Sequence, residues 1–109
     1  MAVKVINKDN FEETINCGKT VVVDFFATWC GPCKMLAPIL EEVSEELPDD
    51  HMIAKLDIDQ NVELARRYGV MSVPTVVAFK KGKAVSKMIG LRPKEDVLKF
   101  LEMTDNLEA

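Results

Sequence analysis

Two segments, residues 20–27 (TVVVDFFA) and 75–80 (TVVAFK), are nearly unbroken runs of β-branched and aromatic side chains. A strand wetted on one face alternates apolar and polar positions with period two, so such runs predict strands covered on both faces, in the middle of a sheet. Residues 52–57 (MIAKLD) predict a third strand and residues 84–89 a fourth. Lys81 and Gly82 separate the fourth strand from residues 75–80 as a hairpin turn. Residues 3–6 form a weaker fifth strand pattern.

Between these runs the apolar spacing changes to the helical period. Asp9 or Asn10 is placed to cap a helix carrying Phe11 and Ile15, with Gly18 just past its end. Pro32 suits the first position of a long second helix, where its missing N–H would have had no partner. Met35, Leu36, Ile39, Leu40, Val43 and Leu47 repeat at helical spacing and predict its core face, with a bend at Pro38. Residues 61–68, followed by Gly69, predict a third helix; residues 93–104, with Val97, Leu98 and Leu101 on one side, predict the last. The order β-α-β-α-β-α-β-β-α places the chain in the α/β class. It predicts a five-stranded mixed sheet with helices on both faces, antiparallel at the late hairpin. With no repeat or linker to divide it, the chain is expected to fold as one domain, residues 1–109.

Composition narrows the function. A chain of 109 residues that is 48% hydrophobic has enough apolar side chains for one core and does not read as disordered. Fourteen Lys and Arg against eighteen Asp and Glu give a net charge of -4 and no broad basic surface, so neither nucleic acid nor a membrane is an expected partner. Residues 1–9 contain no apolar stretch of signal-peptide length, and the expectation is a cytoplasmic protein.

Three cysteines are too few, and odd in number, for a secreted disulfide framework. Two of them form Trp29-Cys30-Gly31-Pro32-Cys33, where a buried strand gives way to a helix. Unpaired amides and the positive end of the helix dipole favour a thiolate at that point, which makes Cys30 the expected nucleophile. A structural disulfide is the plainer alternative, but closing so short a loop stabilises by only roughly 2 kcal/mol. Zinc normally takes four ligands, and only Cys17 and His51 are available beyond the pair. An all-cysteine iron–sulfur site needs one cysteine more than the chain has. Thiol–disulfide exchange is therefore the expected chemistry: Cys30 attacks a target disulfide, and Cys33 then resolves the mixed disulfide.

WCGPC after an apolar strand containing Asp24, with Lys55 in a later strand, Val73-Pro74-Thr75 and Gly90, resembles the thioredoxin family over essentially the whole chain. The resemblance implies the thioredoxin fold, a central sheet flanked by four helices, and a general protein-disulfide reductase. It also implies recycling by a thioredoxin reductase that draws on NADPH, with no cofactor or metal bound to the chain itself. Disulfide-containing proteins are the expected targets, and a monomer is the expected state. A non-catalytic binding or processivity subunit using the same surface is the alternative from another class. A disulfide oxidase or isomerase is a further one, which Gly31-Pro32 and the lack of an export signal disfavour.

Other residues fall into place around the pair. Asp24 interrupts a buried strand, so its carboxyl should resist ionisation and is a candidate proton acceptor for Cys33; the plain reading is an acid at a sheet edge. Lys55 lies among apolar neighbours and needs either a partner or a path to water, as an edge lysine would have. The resemblance implies that it approaches Asp24, and that Pro74 is cis and lies against the cysteine pair. Val73 and Pro74 are then expected to hold an extended substrate segment by strand-like hydrogen bonds. Trp29, Gly31, Pro32, Met71 and Gly90 are candidates for an apolar docking rim, against ordinary packing for Trp29. Phe26 stands where many thioredoxins have a second tryptophan, and Met71-Ser72 where some have arginine or glycine. Cys17 reads as a partly buried small hydrophobe and His51 as an exposed loop residue.

Overall fold

The computed structural model describes residues 3–109. Five strands, β1 (Val3–Val5), β2 (Thr20–Phe26), β3 (His51–Asp57), β4 (Thr75–Lys80) and β5 (Lys83–Ile89), alternate with helices α1 (Phe11–Ile15), α2 (Gly31–Glu46), α3 (Val62–Arg67) and α4 (Lys94–Asp105) in the expected order. They form one sheet in the order β1-β3-β2-β4-β5. β3 runs parallel to both β1 and β2, whereas β4 is antiparallel to β2 and to β5. The unbroken apolar runs occupy β2 and β4, two of the three strands with a neighbour on each side.

The period of two along β2 sorts its side chains between two cores. Val21, Val23 and Phe25 join Phe11 and Ile15 of α1 and Leu64 and Ala65 of α3. Val22 faces the other way, with Leu36, Leu40 and Val43 of α2 and Val97 and Leu101 of α4. Asp24 and Phe26 share the Val22 face, and the register sets Lys55 of β3 beside Asp24. This alternation is what aims Asp24 beneath α2.

Two expectations shift. α2 begins at Gly31, so Pro32 holds its second position, where the missing N–H is equally without a helical partner. Met35, read as part of the core face, is 62% exposed because the helix buries the narrower set Cys33, Leu36, Leu40 and Val43.

Candidate active site

β2 ends at Phe26, and four residues later Cys30 caps α2. Its backbone is extended and its Sγ accepts a hydrogen bond from the Cys33 N–H at 3.1 Å. Most helices place a side-chain oxygen at this position. Here a sulfur occupies it, so a first-turn amide and the helix dipole both favour negative charge on Cys30 once the pair is reduced. Cys30 and Cys33 are joined as a disulfide with their Cα atoms 5.3 Å apart.

Both cysteines are only 4% exposed, packed with Ala27 and covered by Phe26, Ile58 and Val73. Cys30 is therefore not the open thiol that the mouth of a helix suggests; the loop before β4 lies against it. In that loop the Val73–Pro74 peptide bond is cis. The Val73 carbonyl oxygen lies 3.7 Å from the Cys30 sulfur. The Pro74 carbonyl accepts the Gly90 N–H at 2.9 Å, which ties the loop to the end of β5.

Trp29 is 68% and Met71 95% exposed, so Trp29 is not a core residue. The Trp29 Nε1–H donates to Asp59 Oδ2 at 2.9 Å, which fixes the ring at the surface. Gly31 and Pro32 are exposed as well. At Gly90 a Cβ would meet nothing within 4 Å, but φ is +89°. The backbone conformation demands glycine there, and the space does not. Asp59 was missed by the sequence reading; the available signal was an acid just beyond β3, at the same end of the sheet as a tryptophan that needs an acceptor.

Beneath the pair, Asp24, Phe26, Ala27, Thr28, Cys33, Lys34, Ala37 and Lys55 line a cavity of about 310 Å³. Asp24 is 3% exposed and its Oδ1 has no hydrogen-bond partner. Burial pushes its carboxyl up from 3.8 to about 7, partly offset by the positive charge of Lys55. Lys55 sits on β3, inside the sheet and not at its edge, and its ammonium lies 5.7 Å from the centre of the Phe26 ring. The structure thus gathers Cys33, Asp24 and Lys55 around one cavity, with Cys30 bonded to Cys33. Val73, Pro74 and Gly90 are linked beside Cys30, and Trp29, Gly31, Pro32 and Met71 are exposed.

The thioredoxin family model matches residues 2–103. The chain belongs to the thioredoxin family. Among its relatives, a thioredoxin of Staphylococcus haemolyticus is 45% identical over 102 residues, 94% of this chain and 97% of that one. A thioredoxin of Alicyclobacillus acidocaldarius is 45% identical over 96 residues, 88% of this chain and 91% of that one. The solved structure of a point mutant of the Halobacterium salinarum thioredoxin superposes with a TM-score of 0.88 at 33% identity, covering 99% of this chain and 95% of that one. Like other thioredoxins, the chain is a dithiol/disulfide oxidoreductase, with the Cys30–Cys33 disulfide as its redox centre.

Two residues outside the thioredoxin centre differ from expectation. Cys17 is exposed, because α1 ends at Ile15 and the chain turns out toward Gly18. His51 opens β3, and its ring nitrogens lie 2.7 Å from carboxylate oxygens of Asp50 and Asp105. Among the described residues no group of His, Cys, Asp and Glu is arranged to hold a metal, and no helix is long and apolar enough to cross a membrane.

Proposed function

We propose that the chain works as a single-domain general reductase of protein disulfides, with Cys30 as nucleophile and Cys33 as resolving thiol. The hydrogen bond from the Cys33 N–H to the Cys30 sulfur carries this reading, because it favours the thiolate at one of the two sulfurs. The Cys30 thiolate attacks one sulfur of a target disulfide; a Cys30–target bond forms while the target's S–S bond breaks, and the first target thiolate leaves and takes a proton from water. Asp24 accepts the Cys33 proton, directly or through water in the cavity. The Cys33 thiolate then attacks Cys30, the Cys30–target bond breaks, and the second target sulfur leaves as a thiolate and is protonated. The target gains two electrons and the chain is left as the Cys30–Cys33 disulfide. Lys55 moderates the charge on Asp24.

Val73 and Pro74 line an extended target segment, which pairs with the backbone beside Cys30. Trp29, Gly31, Pro32, Met71 and Gly90 receive its flanks on a surface that is apolar and non-selective, as unrelated targets require. A thioredoxin reductase using NADPH returns the pair to the dithiol, and the cytoplasm supplies the reducing setting. The protein acts as a monomer.

The test is covalent trapping on a protein disulfide. Cys33→Ser should accumulate the mixed disulfide and Cys30→Ser should not; equal trapping by both variants would refute the assigned roles. Turnover with NADPH and a thioredoxin reductase should require both cysteines. A Cys30→Ser/Cys33→Ser protein that kept full biological function would favour the non-catalytic docking subunit instead.

A further inference from the structure

Lys55 and Asp24 are neighbours in register on adjacent strands and lie on the same face of the sheet, yet they form no ion pair within 4.0 Å. Two opposite charges placed this way attract each other, and direct contact would offset part of the cost of burying Asp24. The Asp24 Oδ1 nevertheless stays without a partner, and the Lys55 ammonium lies over the face of Phe26. The negative face of an aromatic ring attracts an ammonium, more strongly where water is scarce. Phe26 follows Asp24 by two residues on β2, so both project to the α2 side of the sheet. The same ring packs on the cluster of Ala27, Cys30 and Cys33 and lines the cavity shared by Asp24, Cys33 and Lys55.

We propose that Phe26 is a positioning residue for the thiol–disulfide reaction, whose ring holds the Lys55 ammonium off the Asp24 carboxylate and leaves that carboxylate free to exchange a proton. The inference rests on Asp24 being the acceptor for Cys33. A carboxylate locked against an ammonium is a weaker base, and one with no positive charge nearby would hold its proton to higher pH. Suspending the cation over the ring produces the intermediate case. The charged and titratable groups facing Asp24 are Lys55 and, farther along the same face of β3, Asp57, with Cys33 and Lys34 from α2. From β4 the paired residue is the apolar Val76.

The experiment follows the Asp24 carboxyl by carbon NMR across pH in the oxidised protein, beside the pH profile of mixed-disulfide resolution. Phe26→Leu should lower the Asp24 midpoint by about one pH unit as Lys55 closes on it, and carry the resolution profile the same way. Phe26→Trp, which restores an aromatic face, should return both toward the parent. In a Lys55→Met background, Phe26→Leu should leave the midpoint unmoved, because no cation remains to be released. A midpoint unchanged by Phe26→Leu, or one displaced equally with and without Lys55, would overturn the role, the latter showing that lost packing alone had wetted the cavity. If the midpoint moves as expected while resolution in the parent ignores Asp24→Asn, the positioning holds and the assignment of Asp24 as acceptor fails.

Discussion

Burial raises the Asp24 carboxyl to about 7 from 3.8, with Lys55 opposing, so the folded chain holds this proton more tightly than the unfolded one. The stabilisation from that proton is complete below the unfolded value and disappears as pH rises through the folded value. Asp24→Asn cannot ionise, so it should gain stability over the parent as pH rises from 4 to 8, by on the order of 4 kcal/mol at the upper end. Urea unfolding at both pH values checks this; a gain independent of pH would contradict it. Gly90→Ala should cost roughly 1–2 kcal/mol by the same measurement, although the added methyl meets nothing, because φ is +89°. Asp24 and the cysteine pair are legible in the sequence since each violates its surroundings: a carboxylate in an apolar run, two thiols at a helix start. The Asp59 contact and the exposure of Met35 and Cys17 are not legible, because they depend on where one loop or helix face comes to rest against the rest of the fold.

Runs and periods identify all nine elements, and boundaries move by a residue or so where caps and turns decide them. β2 stops at Phe26, one residue short of the apolar run, because the chain must turn into α2. His51 shows what a linear reading lacks. Its pairing with Asp105 joins the start of β3 to the last residue of α4, 54 positions away. Carboxylate oxygens accept hydrogen bonds only, so two of them facing both ring nitrogens call for the doubly protonated ring. Burial pulls the ring's pKa down, but the hydrogen bonds and charges of Asp105 and Asp50 outweigh it and hold the imidazole above 6.5. The corresponding stability is present below the unfolded value and is lost as pH rises through the folded one. His51→Gln should therefore cost more at pH 6 than at pH 9, and at pH 6 should speed amide exchange in the last turn of α4. An equal cost at both pH values would show that the ring is held neutral.

Across the whole molecule, β2 and β4 are paired on both edges and covered on both faces, whereas β1 contributes three residues to an outer edge. Native-state hydrogen exchange should find the slowest amides in β2 and β4 and the fastest strand amides in β1. Similar protection in all five strands would show that opening is global. The strand directions also separate two poles. Val3 pairs with Ile53 near the start of β3, and the Leu107 carbonyl accepts from Lys80 at the end of β4, beside the start of β2. Cys30 and Cys33 lie beyond the opposite end of β2. A linker attached after Leu107 therefore departs from the far side of the molecule, so a copy immobilised that way on a bead or electrode, or carried as a fusion, should keep its sulfur chemistry turned outward and work as fast as one free in solution.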